Sequence, residues 1–596
     1  MMRVKAEPQK GTRGTKEARV HKFVIVLLVP LCGFRVRWAQ LYALFLVFCL
    51  VHTGCFNEEP STFYGTIVPP RAQELRWSDG GLPQTFDPAF AAAPPDTDAV
   101  RALFEGLTDY DPQTLAPIPA VATRWESSHD GRVWTFYLRD NARWSNGEKV
   151  TAGDFVRSWQ RTLKIGPLAP HTELLANIEG AVASQSEAPL QPKSPADSDE
   201  TTKAAGAAGS SEAEAAPQFG AEAVNDHVLR VTLQHADNSF PALVAHPVFR
   251  PVKLRDADYT KRIESHELIS NGAFQLSATE ADRVRLERAR NYWDGDSVSL
   301  DRVTFVNTAG PEQALSAYHD GELDAVTNAP FEPLALKLLA PYKDFRRSTY
   351  GALTYYVFNV DREPFDDVRV REALALAIDR ERVSRDELGG ATEPAGRFLP
   401  DAMSGEKPVV EKTELLDHDI NKARELLAEA GYPDGDGFPM IRLLINRNEQ
   451  QRIVAQSIAA MWRTALNIQT EIVIKGWDEY EAAIRSGDYD VVRRGLVMQT
   501  TSETTNIAML FGRDSHPLPV QPMEGPAHAA SPEPQRPALT IETEAQALKE
   551  LKAMPIYFAS SYSLVKPYVS GFDLNVLDVP LLKRTRLDTN WKEQAR

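Results

Sequence analysis

The pattern of apolar and polar positions is clearest in residues 350–382, where an extended run leads into an amphipathic helix. Residues 353–360 are rich in aromatic and β-branched side chains, which favours a strand. Pro364 ends this run, and Asp366 or Asp367 can cap the free N–H groups of a following helix. Apolar residues then recur at helical spacing, at Val370, Leu374, Ala377 and Ile378. The charged residues between them are predicted to point elsewhere, namely Arg369, Arg371, Glu372 and Arg380.

The same reasoning predicts strands and helices over much of the chain. Residues 133–138 alternate as a strand, and residues 151–154 cap a helix that carries Phe155 and Trp159. Farther along, the pattern predicts a strand over 228–233, helices over 418–431 and 453–466, and a strand over 468–474. This mixture indicates an α/β protein.

Two stretches lack the side chains that a folded core needs. Residues 182–217 contain no aromatic residue, and we predict a disordered surface insertion there, within the limits 182–223. Residues 514–538 hold seven prolines and two histidines, which predicts an unstructured loop. At 596 residues the chain is too long for a single core, so we expect two or three domains.

The charge of the chain excludes one class of partner. The formal net charge is −16, although residues 1–54 hold nine lysines or arginines against two glutamates. The remainder is therefore strongly acidic and carries no basic surface for nucleic acid. No GxSxG, HExxH or phosphate-binding Walker sequence follows residue 55, and the histidines are scattered. We therefore expect neither an enzyme nor a metal or cofactor site.

The N-terminal region is typical of an export signal. Residues 41–51 form a short apolar run with a basic flank, and Gly54-Cys55 follows. This ending resembles a lipobox, in which Cys55 is the lipid-modified first residue of the mature protein. We predict a signal and export region over 1–54 and a lipidated tether over 55–70. An earlier apolar run, 23–34, is either a second anchor or part of an over-extended start. No cysteine follows Cys55, so we expect no disulfide framework.

The central stretch and a second region carry motifs that are specific to one family. The central motif consists of Thr354-Tyr355-Tyr356, Phe358-Asn359, Pro364-Phe365, Arg369-Val370-Arg371 and Ala377-Ile378-Asp379-Arg380. The second group consists of Phe104-Glu105-Gly106-Leu107, Trp134-Thr135-Phe136, Trp144-Ser145-Asn146-Gly147 and Asp154-Phe155. Together they resemble the bacterial extracellular solute-binding proteins of family 5, the oligopeptide- and dipeptide-binding lipoproteins of ABC importers.

This resemblance implies an α/β, two-lobed periplasmic-binding-protein fold (type II, cluster C-like). The fold has an extra small domain in the first lobe and discontinuous domains joined by a hinge. The first lobe would comprise residues 71–104 and 246–352 as its large domain and 105–245 as its small domain. The second lobe would span 353–553, and residues 554–596 would return to the first lobe.

The resemblance also implies a function and partners. The protein would capture oligopeptides in the cleft between its lobes by hinge closure, and deliver them to an ABC permease with its ATPase subunits. It would be a monomer in the periplasm or elsewhere outside the cytoplasm, held on a bacterial membrane by its lipid anchor. The alternative keeps the fold with a non-peptide solute such as haem, or with a role as a surface receptor or adhesin.

The resemblance places the ligand beside residues 477–499. Backbone groups of Gly495 and Val497 would pair with a peptide as an added strand, and Trp477 would wall a side-chain pocket. Arg493 and Arg485 would face the peptide carboxylate.

Two positions at this site depart from the family pattern. Leu496 stands where relatives carry Trp, and Gln499 stands where they carry an Asp that pairs with the α-ammonium of the peptide. Gln accepts a hydrogen bond but does not neutralise a charge. Recognition of a free N-terminus is therefore weakened, or Glu503 substitutes, or the ligand is not an ordinary peptide.

Overall fold

The computed structural model describes residues 62–181, 218–254, 260–403, 415–511, 541 and 543–592. The predicted export region, the lipidation site Cys55 and the proline-rich loop 514–538 lie outside these residues, as does 182–217. The prediction of disorder up to residue 223 is wrong for its last residues, because Ala221–Asn225 form a paired strand. The described part of the predicted tether is docked rather than free, since the Tyr64 N–H donates to Asp344 Oδ1 at 2.9 Å.

The described residues form nineteen strands: β1 (Glu74–Asp79), β2 (Thr108–Tyr110), β3 (Pro117–Pro119), β4 (Ala122–Ser127), β5 (Val133–Leu138), β6 (Ala221–Asn225), β7 (Val228–Thr232), β8 (Phe274–Thr279), β9 (Arg283–Arg288), β10 (Arg302–Val306), β11 (Ala325–Thr327), β12 (Phe345–Phe358), β13 (Thr392–Pro394), β14 (Ile441–Asn446), β15 (Thr470–Lys475), β16 (Val491–Val497), β17 (Ala553–Val565), β18 (Val569–Ser570) and β19 (Arg586–Leu587). The strands predicted over 133–138, 228–233, 353–360 and 468–474 correspond to β5, β7, part of β12 and β15.

Twelve α-helices accompany these strands in the described residues: α1 (Asp96–Leu103), α2 (Ala152–Ile165), α3 (Phe240–Leu243), α4 (Pro311–His319), α5 (Pro333–Leu339), α6 (Val368–Leu376), α7 (Arg380–Arg382), α8 (Ile420–Glu429), α9 (Glu449–Leu466), α10 (Trp477–Ser486), α11 (Glu503–Phe511) and α12 (Glu544–Glu550). Sequence-local caps start several of them. Asp367 accepts the Arg369 N–H at 2.8 Å at the start of α6. At the start of α2, the Thr151 N–H donates to Asp154 Oδ2 at 2.9 Å within a capping box.

Eleven of the strands form one mixed sheet, in the order β15-β14-β16-β12-β17-β11-β1-β10-β9-β8, with β13 pairing to β17. β1 lies parallel to β10 and β11, and β14 lies parallel to β15 and β16. All pairs that involve β12 or β17 are antiparallel. A separate four-stranded antiparallel sheet, β4-β5-β7-β6, falls within residues 105–245.

Two hydrophobic cores lie at the two ends of this strand order. The first contains Trp77 and Trp159, together with side chains of β8, β9 and β10. The second contains Tyr356, Leu374 and Trp462, together with side chains of β14 and β16. The buried tryptophans of both cores are thus structural. This arrangement confirms the predicted two-lobed α/β fold.

Two long strands, β12 and β17, run from the first lobe into the second core. Residues 345–349 of β12 pair with 560–564 of β17, and after a register shift residues 353–357 pair with 553–558. Only the second part of β12 also pairs with β16. The lobes are therefore joined by two adjacent antiparallel strands, with an irregularity at 350–352. The predicted return to the first lobe at residue 554 is too early, because Met554 and Tyr557 still pack in the second core.

Gly351 lies in this irregularity and contacts segments from both sides. Its N–H donates to the Val576 carbonyl at 2.7 Å, and its carbonyl accepts the Met498 N–H at 2.7 Å. A Cβ atom at this position would lie 3.0 Å from Met403 Cε and 3.1 Å from the Val576 oxygen. A side chain would crowd these neighbours, so glycine suits the point where the lobes meet.

Two arginines of the central stretch are buried, contrary to the prediction that they point away from the core. Arg371 is 6% exposed and donates to the carbonyls of Phe365 and Leu551. Arg380 is 5% exposed and donates to the carbonyls of Pro555 and Leu416, among others. The guanidinium groups satisfy carbonyl groups that the fold would otherwise leave buried without a partner.

Three carboxyl groups are buried beside the strands that join the lobes. Asp79, Asp98 and Asp578 are at most 5% exposed, and Asp578 Oδ1 accepts the Ser561 hydroxyl of β17 at 2.9 Å. Burial raises the pKa of all three, most strongly that of Asp98. One cation, Arg101, lies 3.7 Å from Asp98. The cluster thus holds more acidic groups than this cation neutralises.

Candidate ligand-binding site

The second half of β16 has an open edge. β16 pairs with β12 along its whole length, from Val491 to Val497. On its other side β14 reaches only the first two residues, Val491 and Val492. Among the described strands, none pairs with residues 493–497 on that side. An unpaired strand edge presents backbone donors and acceptors to an incoming extended chain.

Two hydrogen bonds identify which residues turn toward this edge. The Met498 N–H donates to the Gly351 carbonyl, and the Asn359 N–H donates to the Asp490 carbonyl at 2.9 Å. In an antiparallel pair, alternate residues direct both backbone groups to the partner strand. Even-numbered residues of β16 therefore bond to β12, while Arg493, Gly495 and Val497 direct their backbone groups to the open edge.

Side chains already occupy two carbonyl groups of this edge. The Tyr480 hydroxyl donates to the Arg493 carbonyl, and the Gln499 Nε2 donates to the Val497 carbonyl at 3.2 Å. The N–H and C=O groups of Gly495, and the N–H of Val497, face the same edge. The exposed stretch is thus short and centred on Gly495, which is itself exposed.

Arg493 lies on the same face of β16 as Gly495. A Cβ atom on Gly495 would lie 3.1 Å from Arg493 Nη2, so the guanidinium spreads beside the glycine. Arg493 Nη2 donates to Thr354 Oγ1 at 3.3 Å, and its Nε is buried without a partner among the described groups. The guanidinium is thus a fixed cation beside the edge, a type of group that pairs with carboxylates.

Trp477 lies at the start of α10 and is 63% exposed. Its ring centroid is 5.7 Å from that of Tyr480, whose hydroxyl contacts the Arg493 carbonyl. Burial raises the pKa of Tyr480 to about 12, so this hydroxyl stays a neutral donor. Trp477 therefore stands next to the open edge with its ring available for contact. The Val497 side chain, which is 42% exposed, is available there as well.

Arg485 and Leu496 are placed differently from the residues around Gly495. Arg485 is exposed in the last turn of α10, about 12 Å along the helix from Trp477 at 1.5 Å per residue. No described contact joins it to Arg493. Leu496 packs against the second hydrophobic core. The structure therefore brings together Trp477, Arg493, Gly495, Val497 and Gln499, and does not bring Arg485 to the same point.

Gln499 reaches across to the first lobe. Its Oε1 lies 3.3 Å from Nε2 of His246, which is 1% exposed. Glu503, the suggested substitute acid, instead accepts the Glu544 N–H at 2.8 Å. Sequence reasoning missed His246 and Tyr480. The i, i+3 spacing of Trp477 and Tyr480 on a helix could have indicated the second, whereas nothing in the sequence near His246 marks it.

The part of the chain that the structure describes contains neither a cluster of metal ligands nor a membrane-spanning helix. No three His, Cys, Asp or Glu side chains converge there as ligands for a metal ion. No helix there has the length and apolar character needed to cross a bilayer.

The fold and the open edge define a class: a two-lobed α/β binding protein whose lobes are joined by two strands. The family model for bacterial extracellular solute-binding proteins, family 5 Middle, matches residues 116–516. The chain belongs to this family, which confirms the resemblance carried by its motifs.

Curated relatives match nearly the whole chain. The periplasmic murein peptide-binding protein MppA of Escherichia coli K12 is 30% identical over 530 residues, covering 86% of this chain and 92% of that one. The periplasmic oligopeptide-binding protein OppA of Salmonella typhimurium LT2 is 30% identical over 528 residues, covering 84% and 90%.

Two solved structures of MppA differ in how well they superpose. The unliganded open form has a TM-score of 0.69 at 27% identity, covering 87% of this chain and 98% of that one. The other, from Escherichia coli, has a TM-score of 0.59 at 27% identity, covering 87% and 99%. Of these two structures, the unliganded open form superposes better on this chain.

Proposed function

We propose that this protein is the substrate-binding component of an ABC-type peptide importer, which captures oligopeptides between its lobes. The observation that carries the proposal is the open edge of β16 at Gly495, flanked by the Arg493 guanidinium. Backbone pairing at this edge gives affinity without reading side chains, which suits a carrier of many peptides. The names of MppA and OppA as periplasmic peptide-binding proteins support the same ligand class.

The geometry favours one orientation of the peptide. The Arg493 guanidinium places a positive charge beside Gly495, at the end of the edge that suits a carboxylate. The exposed Trp477 ring offers apolar surface to a side chain of the ligand. The peptide would lie extended along the edge with its carboxyl end toward Arg493, and hinge closure at β12 and β17 would bury it.

The direct test is native mass spectrometry of the full-length protein, purified in mild detergent, followed by denaturation to identify released molecules. We expect a series of peptide masses, because a site that pairs with the main chain retains a mixture. A single non-peptide mass would contradict the proposal and favour a carrier of another solute, such as haem.

A pair of substitutions tests the edge itself. Gly495→Pro removes an N–H that faces the open edge, so the pairing with β12 is kept while the ligand-facing donor is lost. We expect peptide affinity to fall at least about tenfold, since one hydrogen bond contributes about 1 kcal/mol and the ring also blocks pairing. Gly495→Ala is the matched control, because it keeps the N–H and its Cβ meets only the flexible end of Arg493. Equal affinity of all three proteins would refute the role of the edge.

Anchoring, location and partners belong to the same proposal. The protein would be a monomer without catalytic activity, held outside the cytoplasm by a lipid on Cys55, and would pass its ligand to a permease with ATPase subunits. The periplasmic names of its relatives support this location. We expect Cys55→Ala to move the protein from the membrane fraction to the soluble fraction, and retention on the membrane would contradict lipid anchoring.

A further inference from the structure

A hydrogen bond joins the two lobes at one end of the open edge. His246 belongs to the first lobe, and its Nε2 lies 3.3 Å from Gln499 Oε1 of the second. The Gln499 amide nitrogen donates to the Val497 carbonyl at 3.2 Å. Both polar atoms of the Gln499 side chain therefore have a partner in the protein.

The proton positions in this contact follow from the neighbours of His246. Its Nδ1 accepts the Val248 N–H at 3.2 Å, so the ring proton lies on Nε2 and is donated to Gln499 Oε1. This fixes the amide with its oxygen toward His246 and its NH₂ group toward the Val497 carbonyl. An aspartate at this position would have no donor for that carbonyl, because both of its oxygens accept.

The surroundings of His246 disfavour an added positive charge. Burial, together with the neighbouring His171 and Arg101, holds the pKa of His246 well below its usual value. The second arginine that acts on the ring, Arg250, lowers this pKa as well. The ring is neutral at pH 7, and the two arginines that act on it are cationic.

The acidic side chains near Gln499 are turned to other groups. Asp237 accepts the Ser239 N–H at 2.8 Å and lies 3.5 Å from the Ser502 hydroxyl. Glu503 accepts the Glu544 N–H. Neither carboxylate contacts the Gln499 amide in the described part of the chain.

We propose that the His246–Gln499 contact selects ligands whose group at this end is uncharged, and that the preferred class is N-acylated peptides. The inference rests on the proposed peptide-binding function. An extended ligand paired at Gly495 reaches the amide at Val497 within about two residues, since a strand advances about 3.3 Å per residue. The second hydrogen of the Gln499 NH₂ group then meets an acyl oxygen. An ammonium there would lose water without gaining a counter-ion.

The experiment is a competition read by native mass spectrometry of the full-length protein. The probes are one synthetic library of tri-, tetra- and pentapeptides with free amino ends and the same library after N-acetylation, mixed in equal amounts. We expect the acetylated members to be enriched about tenfold in the bound fraction, which corresponds to about 1.4 kcal/mol. Equal binding, or enrichment of the free amines, would overturn this inference and leave the proposed function standing. Binding of neither library would overturn the proposed function and the inference with it.

Two variants locate the preference at this contact. Gln499→Asp supplies a carboxylate and removes the donor, so the enrichment should vanish or reverse. His246→Leu frees Gln499 Oε1 to accept from an ammonium, so the ratio of acetylated to free peptide should fall. A purely structural role of His246, as a positioning residue, would weaken both libraries equally and leave the ratio unchanged. An unchanged ratio in Gln499→Asp would overturn the assignment.

Discussion

Replacing Asp578 by asparagine tests the buried carboxyl cluster beside the strands that join the lobes. Asp578 is 5% exposed, and its Oδ1 accepts the Ser561 hydroxyl. Asparagine keeps that acceptor and tolerates the left-handed backbone of this position, where φ is 57°. Asp578→Asn therefore removes the charge while it preserves the hydrogen bond and the turn.

The expected magnitude follows from the pKa of Asp578. Burial raises this pKa from 3.8 to about 6, and the nearby Asp79 adds to the rise. Because the folded protein binds the proton more tightly than the unfolded chain, the free energy of unfolding falls as the pH rises from about 4 to 6. About two pKa units correspond to about 3 kcal/mol. Asp578→Asn has no carboxyl group to ionise here, so its free energy of unfolding does not undergo this fall. The variant should therefore be up to about 3 kcal/mol more stable than the wild type above pH 7 and nearly equal to it at pH 4.

Urea unfolding followed by tryptophan fluorescence at several pH values between 4 and 8 measures this difference. Asp296→Asn is the matched control. It removes the same charge from the first lobe, but at an exposed side chain rather than a buried one. A difference between wild type and Asp578→Asn that stays constant with pH, or a variant that is less stable at pH 8, would refute the reasoning.

Three further predictions concern stability and are checked by thermal or urea denaturation. Gly272→Ala should lower the free energy of unfolding by about 3 kcal/mol, since the new Cβ would lie 2.6 Å from the backbone of α1. The control Gly295→Ala should not destabilise the fold, because no atom lies within 4 Å of a Cβ at that position. Asp87→Asn should lower the free energy of unfolding by about 3–5 kcal/mol, because it removes the carboxylate that lies 2.6 Å from the buried Arg161 guanidinium. Adding Arg161→Met to this variant should restore part of the lost stability. Thr151→Ala should cost about 1 kcal/mol by removing the cap of α2, and an unchanged midpoint would contradict the capping role.

Local patterns predicted most of the elements that carry the site. Periodicity found α9 and β15, and side-chain capping found the start of α6 at Asp367, because these signals lie within a few residues of each other. The motifs around Tyr355 and Trp144 identified the family, and with it the two-lobed fold. The site residues Gly495, Val497 and Trp477 came from the same resemblance, and their roles in binding stay predictions.

What the sequence did not reveal depends on distant contacts. Arg371 looked like a solvent-facing charge, yet it bonds to the Leu551 carbonyl, 180 residues away. His246 meets Gln499 across 253 residues. The end of the second lobe was placed too early, because β17 is one continuous strand that pairs with β12 in both lobes. What changes along β17 is the strand on its other side, from β13 to β11, and its composition does not show this change.

The way β12 and β17 join the lobes has a mechanical consequence. The second lobe is inserted into the first through these two strands, and the described ends of the chain meet on the first lobe, where the rings of Phe63 and Trp591 are 5.8 Å apart. A stretching force applied near these two ends would therefore pass through the first lobe alone. In a pulling experiment the second lobe would bear no force until the first lobe had unfolded. The second lobe should therefore always unfold last.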